Sequence, residues 1–275
     1  APPRHVTYAT GTLRDNRAHW ITVDALHRYD KLAALSAEIR ARNVIEVKVK
    51  NVDAFTLEPP AAYLEPGRPV TLRVNGRRVQ VLQSGATLRW QSAPKAAALC
   101  KTPARSGPIK NCYRDPFLVV YGTLRASDDE ANARRFVQEW SLFADGVPPL
   151  KADSQVTADD FARYNLVLFG TRETNLLLAE VADQLPLELL PDGYRLGARK
   201  VATSAARGAQ LCYPSPWSEK RMIVVQSGLF WGAALPINHK FDLLPEYIVY
   251  SGDTEDSGAN RALVAGFFDH TWRLP

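Results

Sequence analysis

Two segments of this chain, FLVVY at Phe117–Tyr121 and LVLF at Leu166–Phe169, are unbroken apolar runs, and each ends in Gly-Thr, at Gly122-Thr123 and Gly170-Thr171. A strand with one wet face alternates apolar with polar residues, so a run without alternation must be covered on both faces, as inside a parallel sheet. The flanking sequence supplies the cover. After the first run, ASDDEANARRFVQEWSLFADG sets Ala133, Phe136, Val137, Trp140 and Phe143 at helical spacing behind the acidic turn Asp128-Asp129-Glu130, where negative charge suits a helix start. TADDFARY offers Thr157 as an N-cap with Asp160 three residues on, and TNLLLAEVADQLP predicts a second long helix ended by Pro186. Strands alternating with helices imply a mainly parallel sheet with helices on both faces, an α/β domain placed at residues 107–275. Within it, GYRLGARKV, GAQLCYPSP, RMIVVQSGL and PEYIVYSG read as further strands, and GFFDHTWRLP as an end piece.

Residues 1–106 follow another rhythm. HWITVDAL, SAEIRARN, VIEVKVKNV and AFTLEPP alternate with the period of half-buried strands, and PVTLRVNGRRVQVL joins two such strands through Asn75-Gly76, a pair suited to a tight hairpin turn. Short strands at near-regular spacing predict a β-sandwich. Between Ser92 and Asn111 the composition shifts to Ala, Lys, Pro and Gly without apolar periodicity, the mark of a linker, and the domain boundary is placed there.

With 275 residues, 46% of them hydrophobic, the chain can bury two cores. Its apolar runs fall short of the roughly 18 residues that span a bilayer, so no membrane association is expected. The opening APPRHVTYATG has no apolar stretch behind a basic start, so a signal peptide is expected to have been removed or to lie outside this sequence. The net charge of +5 comes from scattered Arg, not from a tract, which argues against nucleic acid. Cys100 and Cys112 bracket a Pro/Gly/Lys loop that one disulfide could staple, implying an oxidising compartment, while Cys212 reads as a buried thiol. No CxxC pairs occur, so no metal site is expected, and nothing calls for a cofactor.

Ligands of open α/β sheets gather where strand ends meet helix starts, because unpaired N–H groups and the helix dipole favour an anion there. A pocket for a small anionic or sugar-like ligand is therefore sought at Gly122, Thr123, Arg125, Gly170, Thr171 and Asn175. The loops carry neither GxGxxG nor GxxxxGK[ST], and a Gly at such a turn also has a purely backbone explanation. A self-sufficient hydrolase would use Ser227 with His239 and Asp242, but VQSGL lacks the first glycine of GxSxG that shapes a nucleophile elbow. The other histidines, His5, His19, His27 and His270, have no carboxylate or second His at ligand spacing. The acidic clusters Asp128–Glu130 and Asp159-Asp160 are accounted for as helix starts.

The segments RHVTYATGTLRDNRAHWITVDAL, VKVKNVDAFTLEPP, GPIKNCYRDPFLVVYGT, DDFARYNLVLFGTRETN, LLLAEVADQLPLEL, LPEYIVYSG and AGFFDHTWRL, taken in order, resemble the carboxyl-terminal accessory region of the prolyl oligopeptidase-like and polyhydroxybutyrate-depolymerase-like α/β-hydrolase esterases. The resemblance covers most of both domains. It implies an immunoglobulin-like or fibronectin-like sandwich followed by a flavodoxin-like module without catalytic residues. The expected partner is an upstream α/β-hydrolase catalytic domain or chain, with self-association into a homo-oligomer as a further possibility and a secreted or periplasmic location. The three cysteines depart from that pattern.

Overall fold

The computed structural model describes residues 1–80, 82–84, 86–92 and 99–275. It is a mixed α/β protein dominated by strands in several sheets, and it divides into two compact units: residues 1–106 with Phe268–Arg273 and Pro275, and residues 107–267 with Leu274. The end piece assigned to the second domain on sequence therefore belongs largely with the first unit. Part of the expected linker, residues 93–98, lies outside the described residues. Beyond it the chain is not a solvated connector, because Lys101, Ser106, Ile109, Asn111 and Cys112 are all buried.

The first unit holds β1 (His5–Thr10), β2 (Arg17–Ala18), β3 (Ile21–Leu26), β4 (Ala33–Ile39), β5 (Val44–Lys50), β6 (Val52–Leu57), β7 (Thr71–Val74), β8 (Arg77–Val79), β9 (Leu82–Ser84) and β10 (Thr87–Gln91). They form two five-stranded sheets, ordered β1-β4-β5-β7-β8 and β2-β3-β6-β10-β9. Alternation decides what each buries. In β4, Ala33, Leu35, Ala37 and Ile39 are buried and the residues between them are not. Asn75 and Gly76 both take positive φ (48° and 81°) in the β7–β8 hairpin, the turn that the Asn-Gly pair predicts. Phe268–Arg273 packs in this unit around the buried Lys101, whose Nζ donates to Phe268 O (2.9 Å) and lies 3.6 Å from the Tyr29 ring centre and 5.0 Å from that of Trp272.

The second unit runs β11 (Phe117–Tyr121), α1 (Asp129–Ala144), β12 (Leu150–Ala152), α2 (Ala158–Arg163), β13 (Asn165–Phe169), α3 (Leu176–Val181), β14 (Leu187–Leu190), β15 (Gly193–Leu196), β16 (Arg199–Ala202), β17 (Arg207–Pro214), β18 (Met222–Gly228), β19 (Tyr247–Thr254) and β20 (Asn260–Gly266). Seven strands form one sheet, ordered β12-β11-β13-β18-β17-β19-β20, and β14-β15-β16 form a small antiparallel sheet. Both apolar runs are covered as their composition requires: Phe117–Val120 and Asn165–Phe169 are buried throughout.

Two expectations about this unit are corrected. The sheet is not mainly parallel: β12/β11, β11/β13 and β13/β18 pair parallel, whereas β18/β17, β17/β19 and β19/β20 pair antiparallel. The connections explain two of the three antiparallel pairs, since the links at residues 215–221 (β17 to β18) and 255–259 (β19 to β20) are too short for a crossover and can only return the chain beside itself. Nor is there a second long helix. α3 stops at Val181 and tightens into a 3-10 turn over Ala182–Gln184, where Leu185 N donates to Ala182 O (3.2 Å), and Pro186 has no N–H with which to continue an α-helix. Leu185 is then held extended before Pro186.

Candidate functional site

Strand order reverses between β11 and β13. From β11 the chain crosses through α1 to β12 on one side, then through α2 to β13 on the other. The carboxyl ends of β11 and β13 thus flank a topological switch point, the usual ligand crevice of an open α/β sheet. The structure brings both Gly-Thr loops together there: Gly122 N donates to Phe169 O (3.2 Å) and Leu124 N to Thr174 O (2.9 Å). The approach is close. A Cβ on Gly122 would lie 2.3 Å from Thr174 O, and Gly170 sits at φ +134°, open only to glycine.

The anion at this junction comes from the chain itself. Asp153, directly after β12 and 3% exposed, accepts from Thr123 N (3.0 Å), Thr123 Oγ1 (2.5 Å), Ser154 N (2.7 Å) and Leu176 N (2.7 Å). Asn175, fully buried, caps α3 by accepting from Leu177 N (3.0 Å) and Leu178 N (3.2 Å), and its Nδ2 donates to Phe169 O (2.9 Å). Thr171 N donates to Thr174 Oγ1 (2.9 Å). The N–H groups expected to converge on a ligand therefore already have protein acceptors. Arg125 points outward, 73% exposed and 4.0 Å from Glu173. Of the six candidates, Thr171 borders a sizeable cavity.

That cavity is a cleft of about 700 Å³ between the loop at Thr171–Glu173 and the small sheet, with Asp183, Glu188, Leu189, Leu190, Pro191, Arg195, Lys200 and Arg207 on its other walls. Glu188 is shared by Arg172, through a short contact to Nε, and by Arg195, at 3.1 Å. Arg172 Nη2 also reaches Asp183 at 2.7 Å. The bonds to Glu188 and then Asp183 hold the Arg172 guanidinium still more firmly charged, and the bond from Arg172 keeps the Asp183 carboxyl below its ordinary range. Arg207 directs its donors at five carbonyls, those of Gly193, Thr203, Ala205, Leu190 and Pro191, at 2.6–2.9 Å.

Ser227 is not placed as a nucleophile. It is buried in β18 and its Oγ donates to Gly170 O (2.5 Å); among the described residues no histidine is its partner. His239 and Asp242 instead line two separate hollows. One, of about 320 Å³, is walled by Trp231, Leu235, Pro236, His239, Lys240, Leu243 and Leu244. The other, of about 330 Å³, is walled by Tyr113, Trp140, Phe143, Phe241, Asp242, Lys110 and Arg114. The segment Phe241–Leu244 contributes to both, Phe241 and Asp242 to the second and Leu243 and Leu244 to the first; Phe241 and Leu244 are buried, whereas Leu243 is its exposed ridge at 78%. Ring centres of Trp140, Phe143 and Phe241 lie 5.2–5.5 Å apart in the second hollow.

The expected Cys100–Cys112 disulfide is not formed, since all three cysteines carry thiols and Cys112 and Cys212 are buried. The argument for an oxidising compartment that rested on the bridge falls with it. Among the described residues no cluster of His, Cys, Asp and Glu could hold a metal ion, and no helix is long and apolar enough to cross a membrane. Neither the family models nor the curated proteins compared with this sequence give a match.

Sequence reasoning missed Asp153, Glu188, Arg195, Arg207 and the Phe241–Leu244 ridge. Local signals existed for two of them: Asp153 follows a short apolar stretch, and FDLLP places three apolar residues in the four before a proline.

Proposed function

We propose that this chain is a non-catalytic accessory and interaction region of a serine hydrolase, and that it docks on its catalytic partner through the aromatic ridge of the second unit. The observation that carries the proposal is the pair of largely apolar hollows to which one segment, Phe241–Leu244, contributes, with Leu243 of that segment 78% exposed. Exposed large apolar side chains beside such hollows mark an interaction site more often than a solvated face, and aromatic-walled hollows are where interface anchors concentrate. The segmental resemblance to esterase carboxyl-terminal regions supports the identity of the partner. In the same spirit, the first unit is a β-sandwich accessory module of immunoglobulin-like or fibronectin-like type, with two antiparallel-rich sheets each burying one alternating face.

Two measurements test it. Incubated with a fluorophosphonate probe and with ester and peptide substrates, the isolated chain should give no adduct and no turnover; a labelled serine would refute the proposal. Mixed with the α/β-hydrolase catalytic domain of its parent protein, the chain should form a complex in sedimentation, and Leu243→Asp should weaken that complex at least tenfold without lowering the melting temperature of the isolated chain. An unchanged affinity in the variant would remove the ridge as the docking surface.

A further inference from the structure

We infer that the arginine-lined cleft beside the second Gly-Thr loop binds an acidic saccharide, a sugar or short oligosaccharide bearing a carboxylate. The inference goes beyond the docking proposal and uses different residues. A volume of about 700 Å³ falls in the range of small-molecule sites.

The sign of the ligand follows from the charges. Arg172, Arg195, Lys200 and Arg207 face Glu173, Asp183 and Glu188 in the cleft wall, and Glu173 has Arg125 beside it at 4.0 Å. Among the described residues Arg207 has only carbonyl partners, and Lys200, exposed on β16, forms no described ion pair. A positive excess remains. Two donors remain as well, Arg172 Nη1 and Lys200 Nζ, neither of which has a described acceptor.

The kind of anion follows from what those donors are. Phosphate groups favour nests of backbone N–H groups, but here the N–H groups of Thr171, Glu173 and Leu176 already bond to Thr174 Oγ1, Thr171 Oγ1 and Asp153. The available donors are side-chain cations, which pair with carboxylate and phosphate alike, so the choice of a carboxylate rests on the absence of a free N–H nest among the described residues. The anchored carboxylates of Glu188 and Asp183 can accept from sugar hydroxyls, and Leu189, Leu190 and Pro191 give an apolar wall for the C–H face of a ring.

Titration calorimetry of the full chain with digalacturonate tests this, with galactobiose and inorganic phosphate as comparisons. Saturable binding of digalacturonate is expected, with galactobiose at least tenfold weaker and phosphate weaker still. Lys200→Gln should raise the digalacturonate Kd at least fivefold while leaving the melting temperature unchanged, and Arg172→Gln should raise it further. Absence of saturable digalacturonate binding, equal binding of galactobiose, tighter binding of phosphate, or an unchanged Kd in both variants would each overturn the inference.

Discussion

The Gly-Thr junction and the arginine-lined cleft share Thr171, yet they differ in what they leave unsatisfied. At the junction, N–H groups and a hydroxyl converge as an anion site requires, and Asp153 occupies the point of convergence. In the cleft, cations outnumber the carboxylates that face them, and two donors stay without described acceptors. The difference teaches that a switch-point crevice becomes a site only if no residue of the fold fills it. Here the filling residue comes from the exit of β12, which neither Gly-Thr loop's sequence reveals.

The sharpest way to break this comparison is Asp153→Ala. It would take the shared acceptor from Thr123 N, Ser154 N and Leu176 N, whose bonds to the buried carboxylate are part-buried, at a cost of about 3 kcal/mol in all. Urea unfolding should show that loss. Added formate or acetate should restore part of the melting temperature in the variant and none in the unaltered chain, because a small carboxylate can then take the vacated place. A loss below about 1 kcal/mol would mean that Asp153 is not the internal anion.

A smaller effect is expected from Gly122→Ala, which tests how tightly the two loops are joined. The added Cβ would meet Thr174 O at 2.3 Å and the Thr174 carbonyl carbon at 2.7 Å, and these are backbone atoms that cannot swing aside. Overpacking of this kind costs about 1–3 kcal/mol. Thermal unfolding should register it, and ligand binding in the cleft should change less than stability, since Gly122 does not line the cleft.

What was legible in the sequence was local. Two apolar runs specified the buried strands β11 and β13, Asn75-Gly76 specified the β7–β8 hairpin, and Thr157 with Asp160 specified the start of α2. Each rests on residues within a few positions of one another. The illegible parts depend on distant partners. Arg195, from β15, bonds the carbonyls of Ala182 and Leu185 beyond the end of α3, and the antiparallel half of the sheet is set by how its strands are joined. The candidate residues were brought together as the strand-end rule requires, but their donors are bound by Asp153. The cysteine spacing suggested a bridge that the fold does not make, because spacing along a chain does not fix separation in space.

The mildest test compares Asp153 with a second internal anion, Asp160. Asp160 closes the capping box of α2, accepting from Thr157 N (2.8 Å), and unlike the Asp153 set its partners include a cation, Lys151 Nζ at 2.7 Å. Burial opposes its ionisation, but the bonds from Lys151 and then from Thr157 outweigh that and hold its carboxyl below the ordinary range. A carboxyl whose folded value is lowered contributes stability that is present above its unfolded value, near 4 on the pH scale, and that is lost as pH falls through the folded value. Asp160→Asn should therefore cost about 1 kcal/mol at neutral pH, the usual worth of a cap, and the gap between variant and unaltered chain should close as the pH drops below about 4. A gap that stays constant across that range in urea titrations would show that Asp160 acts by shape alone, and that the charge supplied by Lys151 adds nothing.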